Sequence, residues 1–188
     1  MDKKIFDFVF GLLSLLFFSW FIFICWLMAA FDTKSNGLFV QERIGQFGLK
    51  FKIYKLRTIK KDSVPQQISR IGQFLRKFKL DELPQLINIL KGNMSFVGPR
   101  PDVAGYYDRL VGESRKIMAL KPGLTSEASL KYRNEEQLLR KLDAPLNYND
   151  TIIFPDKVQL NLAYFYNHTF FGDLKIIIKT IVFILYKK

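Results

Sequence analysis

Two adjacent carboxylates, Asp81 and Glu82, stand in the run Leu80-Asp81-Glu82-Leu83-Pro84-Gln85-Leu86, and Gly98-Pro99-Arg100-Pro101 follows close behind. An aspartate carboxylate can attack phosphorus and form an acyl phosphate. A divalent cation bridging that carboxylate and a phosphate oxygen would relieve their mutual repulsion. An arginine between two prolines has little backbone freedom left to lose when it grips a phosphate through two parallel bonds. Arg76 just before the acids, and Lys55 and Arg57 on an earlier segment, could add positive charge. Paired acids among such cations point to phosphate chemistry. The same pair also suits a helix start, where acids cap free N–H groups and complement the dipole. Taken alone, the two residues leave both readings open.

The elements that must position these groups can be read from the pattern. Apolar spacing at Leu83, Leu86, Ile87 and Leu90 predicts a short helix with Gly92 as its C-terminal cap. A basic helix over residues 68–78, apolar at Ile71, Phe74, Leu75 and Phe78, carries Arg76 towards the acids. Upstream, residues 38–43 and 50–58 flank a turn with Gly45 and Gly48, a β-hairpin pattern. Its period of two puts Phe51, Ile53, Lys55 and Arg57 on one face. That face suits a strand running from the core to an anion site; a solvated basic edge strand is the plainer alternative. Residues 60–67 read as a polar loop and Lys121-Pro122-Gly123-Leu124-Thr125 as a turn. Tyr132-Arg133-Asn134-Glu135-Glu136 offers an aromatic face, a cation and an amide, making Arg133 and Asn134 nucleotide-binding candidates.

Composition narrows the partners. Lys and Arg number 29 against 17 Asp and Glu, a formal charge of +12, which calls for an anionic partner. The 19 phenylalanines gather towards the termini, which favours a lipid bilayer over nucleic acid, so no nucleic-acid partner is expected. One cysteine, Cys25, excludes a disulfide framework and a cysteine-based zinc site.

Residues 8–31 form a run of 24 residues without a charge. As a helix it would be roughly 36 Å long, against about 30 Å for a hydrocarbon core. It exceeds the about 7–15 apolar residues of a cleaved signal peptide. Lys3 and Lys4 precede it, and Lys34, Arg43 and Lys50 follow, so the positive-inside tendency would hold both flanks in the cytoplasm. A helix that enters one leaflet, bends near Ser19 and returns satisfies both flanks; a full crossing is the other reading, and the residues leave both open. Near the C-terminus, residues 158–166 predict an apolar-rich helix. Residues 172–188 predict a second, whose Lys175, Lys179, Lys187 and Lys188 suit an interfacial position or, equally, the basic edge of a core helix. His168 sits in a turn-like stretch and needs no catalytic role.

The chain resembles a known family, the small monotopic phosphoglycosyl transferases, also called bacterial sugar transferases. The matching runs are Lys4-Ile5-Phe6-Asp7, Gln41-Glu42-Arg43-Ile44-Gly45 and Phe51-Lys52-Ile53-Tyr54-Lys55-Leu56-Arg57-Thr58. They continue in Leu80 through Leu86, Lys91-Gly92-Asn93-Met94-Ser95-Phe96-Val97-Gly98-Pro99-Arg100-Pro101, Lys121 through Thr125, and Asp173-Leu174-Lys175-Ile176. The likeness covers almost the whole chain, and the long central block is highly specific.

The resemblance implies transfer of a sugar 1-phosphate from a UDP-sugar to a polyprenyl phosphate, with release of UMP. It makes Asp81 the nucleophile that carries a covalent phosphosugar and binds Mg²⁺. It makes Glu82 a partner that helps deprotonate the acceptor phosphate. Arg76, Arg100, Lys55 and Arg57 become phosphate-binding groups. It implies an α+β fold: a mostly helical catalytic domain with a small β-hairpin, an N-terminal re-entrant membrane helix and amphipathic interfacial helices. Residues 1–35 would be the membrane helix and 36–188 a catalytic domain on the cytoplasmic face of a bacterial inner membrane; a homodimer is left open. Two departures stand out. Ser19 is followed by Trp20 where the family has proline, and Ser126 to Leu130 replaces the family's usual sequence before Arg133-Asn134. A rival from another class is a non-catalytic basic protein of the membrane surface, its acids serving only as caps.

Overall fold

The fold is that of a computed structural model, which describes residues 2–60 and 67–186. Most of the loop expected over residues 60–67 lies outside the described residues, as do Lys187 and Lys188 of the last expected helix. The architecture is mostly helical with two small sheets, in keeping with an α+β chain.

Helix α1, Lys3–Thr33, is one unbroken element of 31 residues, long and apolar enough to cross a membrane. Asp2 starts it by accepting a hydrogen bond from the Lys4 amide at 2.9 Å. The Ser19 hydroxyl donates to the Leu16 carbonyl at 2.9 Å, the local bond expected of a bend point, yet the helix continues through it. Without a proline nothing removes a backbone donor or clashes with the preceding turn, so the ladder stays intact. One stripe of α1, including Phe6, Asp7, Gly11, Cys25 and Ala29, is buried against the rest of the chain. The opposite stripe leaves Leu13, Leu16, Phe17, Trp20 and Phe23 exposed.

Both ends of α1 are tied to the same body. Near the start, Asp7 accepts from the Phe96 amide at 3.1 Å, and Lys3 pairs with buried Asp173. Near the end, Cys25 and Ala29 pack with Leu56 and Leu75, and the Trp26 indole donates to the Asn36 carbonyl at 2.7 Å.

Strands β1, Leu38–Ile44, and β2, Lys50–Leu56, form the expected antiparallel hairpin, with Leu38 opposite Leu56 and Ile44 opposite Lys50. Helix α2, Arg70–Lys77, starts at Ser69, whose hydroxyl accepts from the Gly72 amide at 2.8 Å. Leu75 of its predicted stripe is fully buried, whereas Phe74 stays exposed and meets Phe78 at a tilt, ring centres 5.0 Å apart.

The stretch after Lys79 is not one α-helix. A 3-10 turn, Leu80–Gln85, contains Pro84 and leads into α3, Leu86–Leu90. The tighter winding shifts the inward face, so Leu86, Asn88 and Ile89 are buried and Ile87 is exposed, a correction to the stripe read at constant α spacing. Gly92, at φ +76°, ends the element as expected. Buried Asn88 locks α3 to β2: its amide donates to the Lys52 carbonyl at 2.7 Å, and its oxygen accepts from the Tyr54 amide at 3.2 Å.

A second sheet was not anticipated. Strands β3, Ser95–Val97, and β4, Gly123–Thr125, pair in parallel, so the segment read as a turn after Lys121 is partly a strand. Three-residue strands carry no readable period. They approach so closely beyond β3 that a Cβ on Gly98 would lie 2.3 Å from the Lys121 carbonyl oxygen, and one on Gly123 2.1 Å from the Gly98 nitrogen. Both positions therefore demand glycine.

The remaining α-helices among the described residues are α4, Glu127–Lys131; α5, Glu135–Leu139; α6, Pro145–Tyr148; α7, Phe154–Asn167; and α8, Phe170–Leu185. His168 lies between the last two. The main core joins Phe6 of α1, Ile53 of β2, Leu86 and Ile89 of α3, Phe96 and Val97 of β3, and Ile176 and Ile177 of α8. Each such side chain contributes about 1.5–3 kcal/mol when fully buried. This core holds the α3 and β3 segments that flank the acidic pair.

Candidate active site

Asp81 and Glu82 occupy the first turn of the 3-10 segment, and both are buried. No side chain caps that segment, whose cap position is taken by Lys79 at φ 57°. Neither acid is engaged in a capping hydrogen bond, although both stand in the first turn, where their charge complements the dipole. Lys79 itself sits in the left-handed region, an uncommon conformation for a side-chain-bearing residue, and it turns the chain sharply into the pair.

Glu82 is the hub of the site. The Arg100 guanidinium embraces it, Nη2 bonding Oε1 and Nη1 reaching Oε2 at 3.4 Å. The Lys55 ammonium donates to Oε1 at 3.2 Å, and the Lys79 ammonium lies 3.9 Å from the same oxygen. Burial works to raise the Glu82 carboxyl, but Arg100, Lys55 and Lys79 outweigh it and hold it well below the usual carboxylate range. Burial likewise lowers the Lys55 ammonium, against the pull of Glu82.

Asp81 differs from its neighbour. Its Oδ1 is buried and has no hydrogen-bond partner. Burial first, and the Glu82 charge second, push its carboxyl up to about 6, while Lys55, Lys79 and Arg76 pull the other way. An unpartnered carboxylate oxygen within electrostatic reach of Lys55, Lys79 and Arg76 has no protein hydrogen bond to give up to a reagent, in contrast with Glu82.

The cations come from separate elements. Lys55 projects from β2, which packs on the 3-10 turn. Arg76 ends α2, its Nε donating to the buried Thr58 hydroxyl at 2.8 Å and Nη1 lying 4.0 Å from Glu136. Arg100 leaves β3 through Gly98-Pro99, where Gly98 donates to the Thr125 carbonyl at 3.0 Å and the Pro99 carbonyl accepts from Gly123 at 2.8 Å. The parallel strands thus set the arginine that the prolines stiffen.

The family profile of the bacterial sugar transferases matches residues 1–187. The chain belongs to the bacterial sugar transferase family. Its similarity to curated proteins agrees. It is 35% identical over 121 residues to a putative undecaprenyl-phosphate N-acetylgalactosaminyl 1-phosphate transferase of Bacillus subtilis (strain 168), covering 59% of this chain and 68% of that protein. It is 32% identical over 187 residues to the uncharacterized sugar transferase EpsL of the same organism, covering 95% and 85%. It is 32% identical over 174 residues to a UDP-glucose:undecaprenyl-phosphate glucose-1-phosphate transferase of Escherichia coli (strain K12), covering 84% of this chain but 35% of that protein.

In this sugar transferase the predicted site residues separate into two groups. Asp81, Glu82, Lys55 and Arg100 come together, and Arg76 is close enough for its charge to act on Asp81. Arg57 instead lies with its guanidinium carbon 5.7 Å from the Phe39 ring centre, and its Nε is buried without a partner. Arg133 turns to α8, 4.1 Å from the Phe183 ring centre, and Asn134 precedes α5 without a side-chain capping bond. Two residues were missed. Lys79 directly precedes Leu80-Asp81, and its charge at that spot was legible. Arg43 lies in the quoted Gln41-Glu42-Arg43-Ile44-Gly45 run; its guanidinium is 3.8 Å from Asp102, within electrostatic reach of Arg100 and Glu82.

Proposed function

We propose that this chain transfers a sugar 1-phosphate from a UDP-sugar to a polyprenyl phosphate in two steps, initiating assembly of a cell-surface glycan. The carrying observation is the buried, unpartnered Asp81 oxygen beside a Glu82 already neutralised by Arg100 and Lys55. The activities named for the Bacillus and Escherichia relatives supply the substrate class. In the first step an Asp81 oxygen bonds to the sugar-bearing phosphorus, the bond to the bridging oxygen breaks, and UMP leaves with that electron pair. In the second step an acceptor phosphate oxygen attacks the same phosphorus, and Asp81 departs as a carboxylate.

Arg76, Arg100 and Lys79 are placed to draw the diphosphate to Asp81 and to offset its charge. Glu82 is a poor proton acceptor because its carboxyl is held so low. The acceptor phosphate, with a second pKa of about 6, is largely dianionic at neutral pH and needs little help. Glu82 therefore acts by holding Arg100 and Lys55 in place.

Mg²⁺ fits this arrangement. It binds proteins through one or two carboxylates together with substrate phosphates, and Asp81 offers an oxygen with no protein partner. Among the described residues no cluster of three His, Cys, Asp or Glu could hold a metal by itself, so substrate would complete the coordination. When bound, the ion neutralises charge between the carboxylate and the diphosphate. EDTA should stop UMP release and added Mg²⁺ restore it; full activity in chelator would remove the metal from the scheme.

The Asp81 carboxyl, raised to about 6, also predicts a pH profile. Only the carboxylate attacks, so UMP release from donor alone should fall about tenfold per pH unit on an acid limb at or somewhat below pH 6. Bound cation would move that limb down. A rate that keeps rising steeply above pH 7 would contradict the assignment.

For the membrane, α1 presents its exposed apolar stripe to one leaflet while both ends stay on the cytoplasmic side. The support is that both ends pack on one body and that cations flank the helix. In a Cys25→Ala background, Asp2→Cys and Asn36→Cys should label from the same side with an impermeant maleimide. Opposite-side labelling would mean a true crossing. A panel of UDP-sugars assayed for UMP release would identify the donor.

A further inference from the structure

Helices α4, α7 and α8 line an open groove of about 470 Å³ whose lining includes neither Asp81 nor Glu82. Its floor is apolar, made by Leu130 of α4, Leu160 of α7, and Val182 and Phe183 of α8. Its rim is cationic: Lys131, Arg133 and Lys179 stand against one acid, Glu127. Two of those cations are already paired, Lys131 with Asp156 at 2.7 Å and Lys179 with Glu127 at 2.9 Å. Arg133 is different. Its guanidinium carbon lies over Phe183, 4.1 Å from the ring centre, with no hydrogen bond or ion pair among the described residues, so the group is held by the ring while its donors remain available.

The groove is continuous with the outward face of α8, where Ile178, Ile181 and Leu185 are exposed beside Val182. The end of β4 that leads into α4 is held to that helix by the bond between the Thr125 and Thr180 hydroxyls, 2.7 Å apart. A cationic rim over an apolar floor that opens onto an apolar surface is the complement of an amphiphilic anion.

We propose that this groove binds the headgroup of an anionic phospholipid, with Arg133 as the ligand of its phosphodiester. The guanidinium donates two parallel bonds to the phosphate. The first methylenes of the acyl chains lie over Leu130, Leu160 and Phe183, and the rest run along α8 among the other lipids. A water-soluble anion would leave the floor uncovered, and a neutral lipid would leave Arg133 without a counter-charge.

The test is native mass spectrometry of the full chain in detergent, titrated with phosphatidylglycerol or phosphatidylcholine, with circular dichroism to verify that each variant folds. One phosphatidylglycerol should be retained per chain, and phosphatidylcholine should not. Arg133→Gln should weaken retention about tenfold or more, and Arg133→Lys by less, since it keeps the charge but loses the fork. Leu160→Trp, which fills the floor without changing charge, should weaken it as well. Lys50→Gln makes the same charge change on the remote hairpin and should leave retention unchanged. Equal retention of phosphatidylcholine, an equal loss in Lys50→Gln, or wild-type retention in both Arg133→Gln and Leu160→Trp overturns the proposal. So does one-for-one displacement by polyprenyl phosphate, or a second copy of the chain that fills the groove and excludes the lipid.

Discussion

Asp81→Asn is expected to reduce UMP release by roughly 10⁴–10⁶-fold, the scale of losing a covalent nucleophile. The substitution keeps the size of the side chain and removes the charge that attacks. It should also make the protein more stable at neutral pH, which separates a catalytic role from a capping one. Burial and the neighbouring Glu82 raise the folded-state carboxyl of Asp81 to about 6, above its ordinary value of 3.8. Folding therefore favours the protonated form, and stability falls as pH rises from about 4 through 6. Asparagine lacks that penalty, so in metal-free buffer near pH 7.5 the variant should be more stable by about 1–3 kcal/mol. Thermal unfolding at pH 4.5 and 7.5 would measure it; the gap between variant and wild type should open with pH. A cap would behave in the opposite way, its loss costing about 0.5–2 kcal/mol.

Arg100→Ala carries the second largest expected effect. It removes the two-pronged partner of buried Glu82 and leaves that carboxylate with Lys55 and Lys79. Stability should fall by about 1–3 kcal/mol, less than for a wholly buried pair because the Arg100 side chain is 44% exposed. Turnover should fall by about 10²–10³-fold, since a charge aimed at the transferring phosphoryl group is lost. Arg100→Lys should recover most of the stability but little of the rate, because a lysine cannot present the planar fork. Steady-state kinetics with both substrates, alongside unfolding midpoints, would separate the two losses. Full activity in Arg100→Ala would remove it from the phosphate site.

The parts of this site that were legible in sequence share one property: local residues carry them. The acidic pair, the proline-flanked arginine and the hairpin with its basic arm are each written in a few consecutive positions. What escaped depends on long-range approach. The β3–β4 pair consists of three-residue strands, too short for a period, and the need for Gly98 and Gly123 arises only when the two backbones meet. The 3-10 turn before α3 hid behind apolar spacing that an α-helix would also satisfy until Pro84 tightened it. Lys79 and Arg43 were visible as charges, but their role follows from a left-handed backbone and a hairpin partner, and neither is encoded by residue type. Arg57 shares its strand face with Lys55, yet one reaches Glu82 and the other rests on Phe39; period alone could not separate them. Ser19 shows the opposite case, where a correct local expectation of a back-bonding hydroxyl did not bring the break with it.

The central claim is that Asp81 carries the sugar phosphate between two half-reactions. It is tested most directly by incubating the detergent-solubilised protein with Mg²⁺ and its UDP-sugar, without acceptor, and recording the intact mass after rapid quenching. The account predicts one added sugar phosphate per chain, located on the peptide containing Asp81, with stoichiometric UMP, and no such adduct in Asp81→Asn. UMP release that strictly requires polyprenyl phosphate, with the protein mass unchanged throughout, would contradict it.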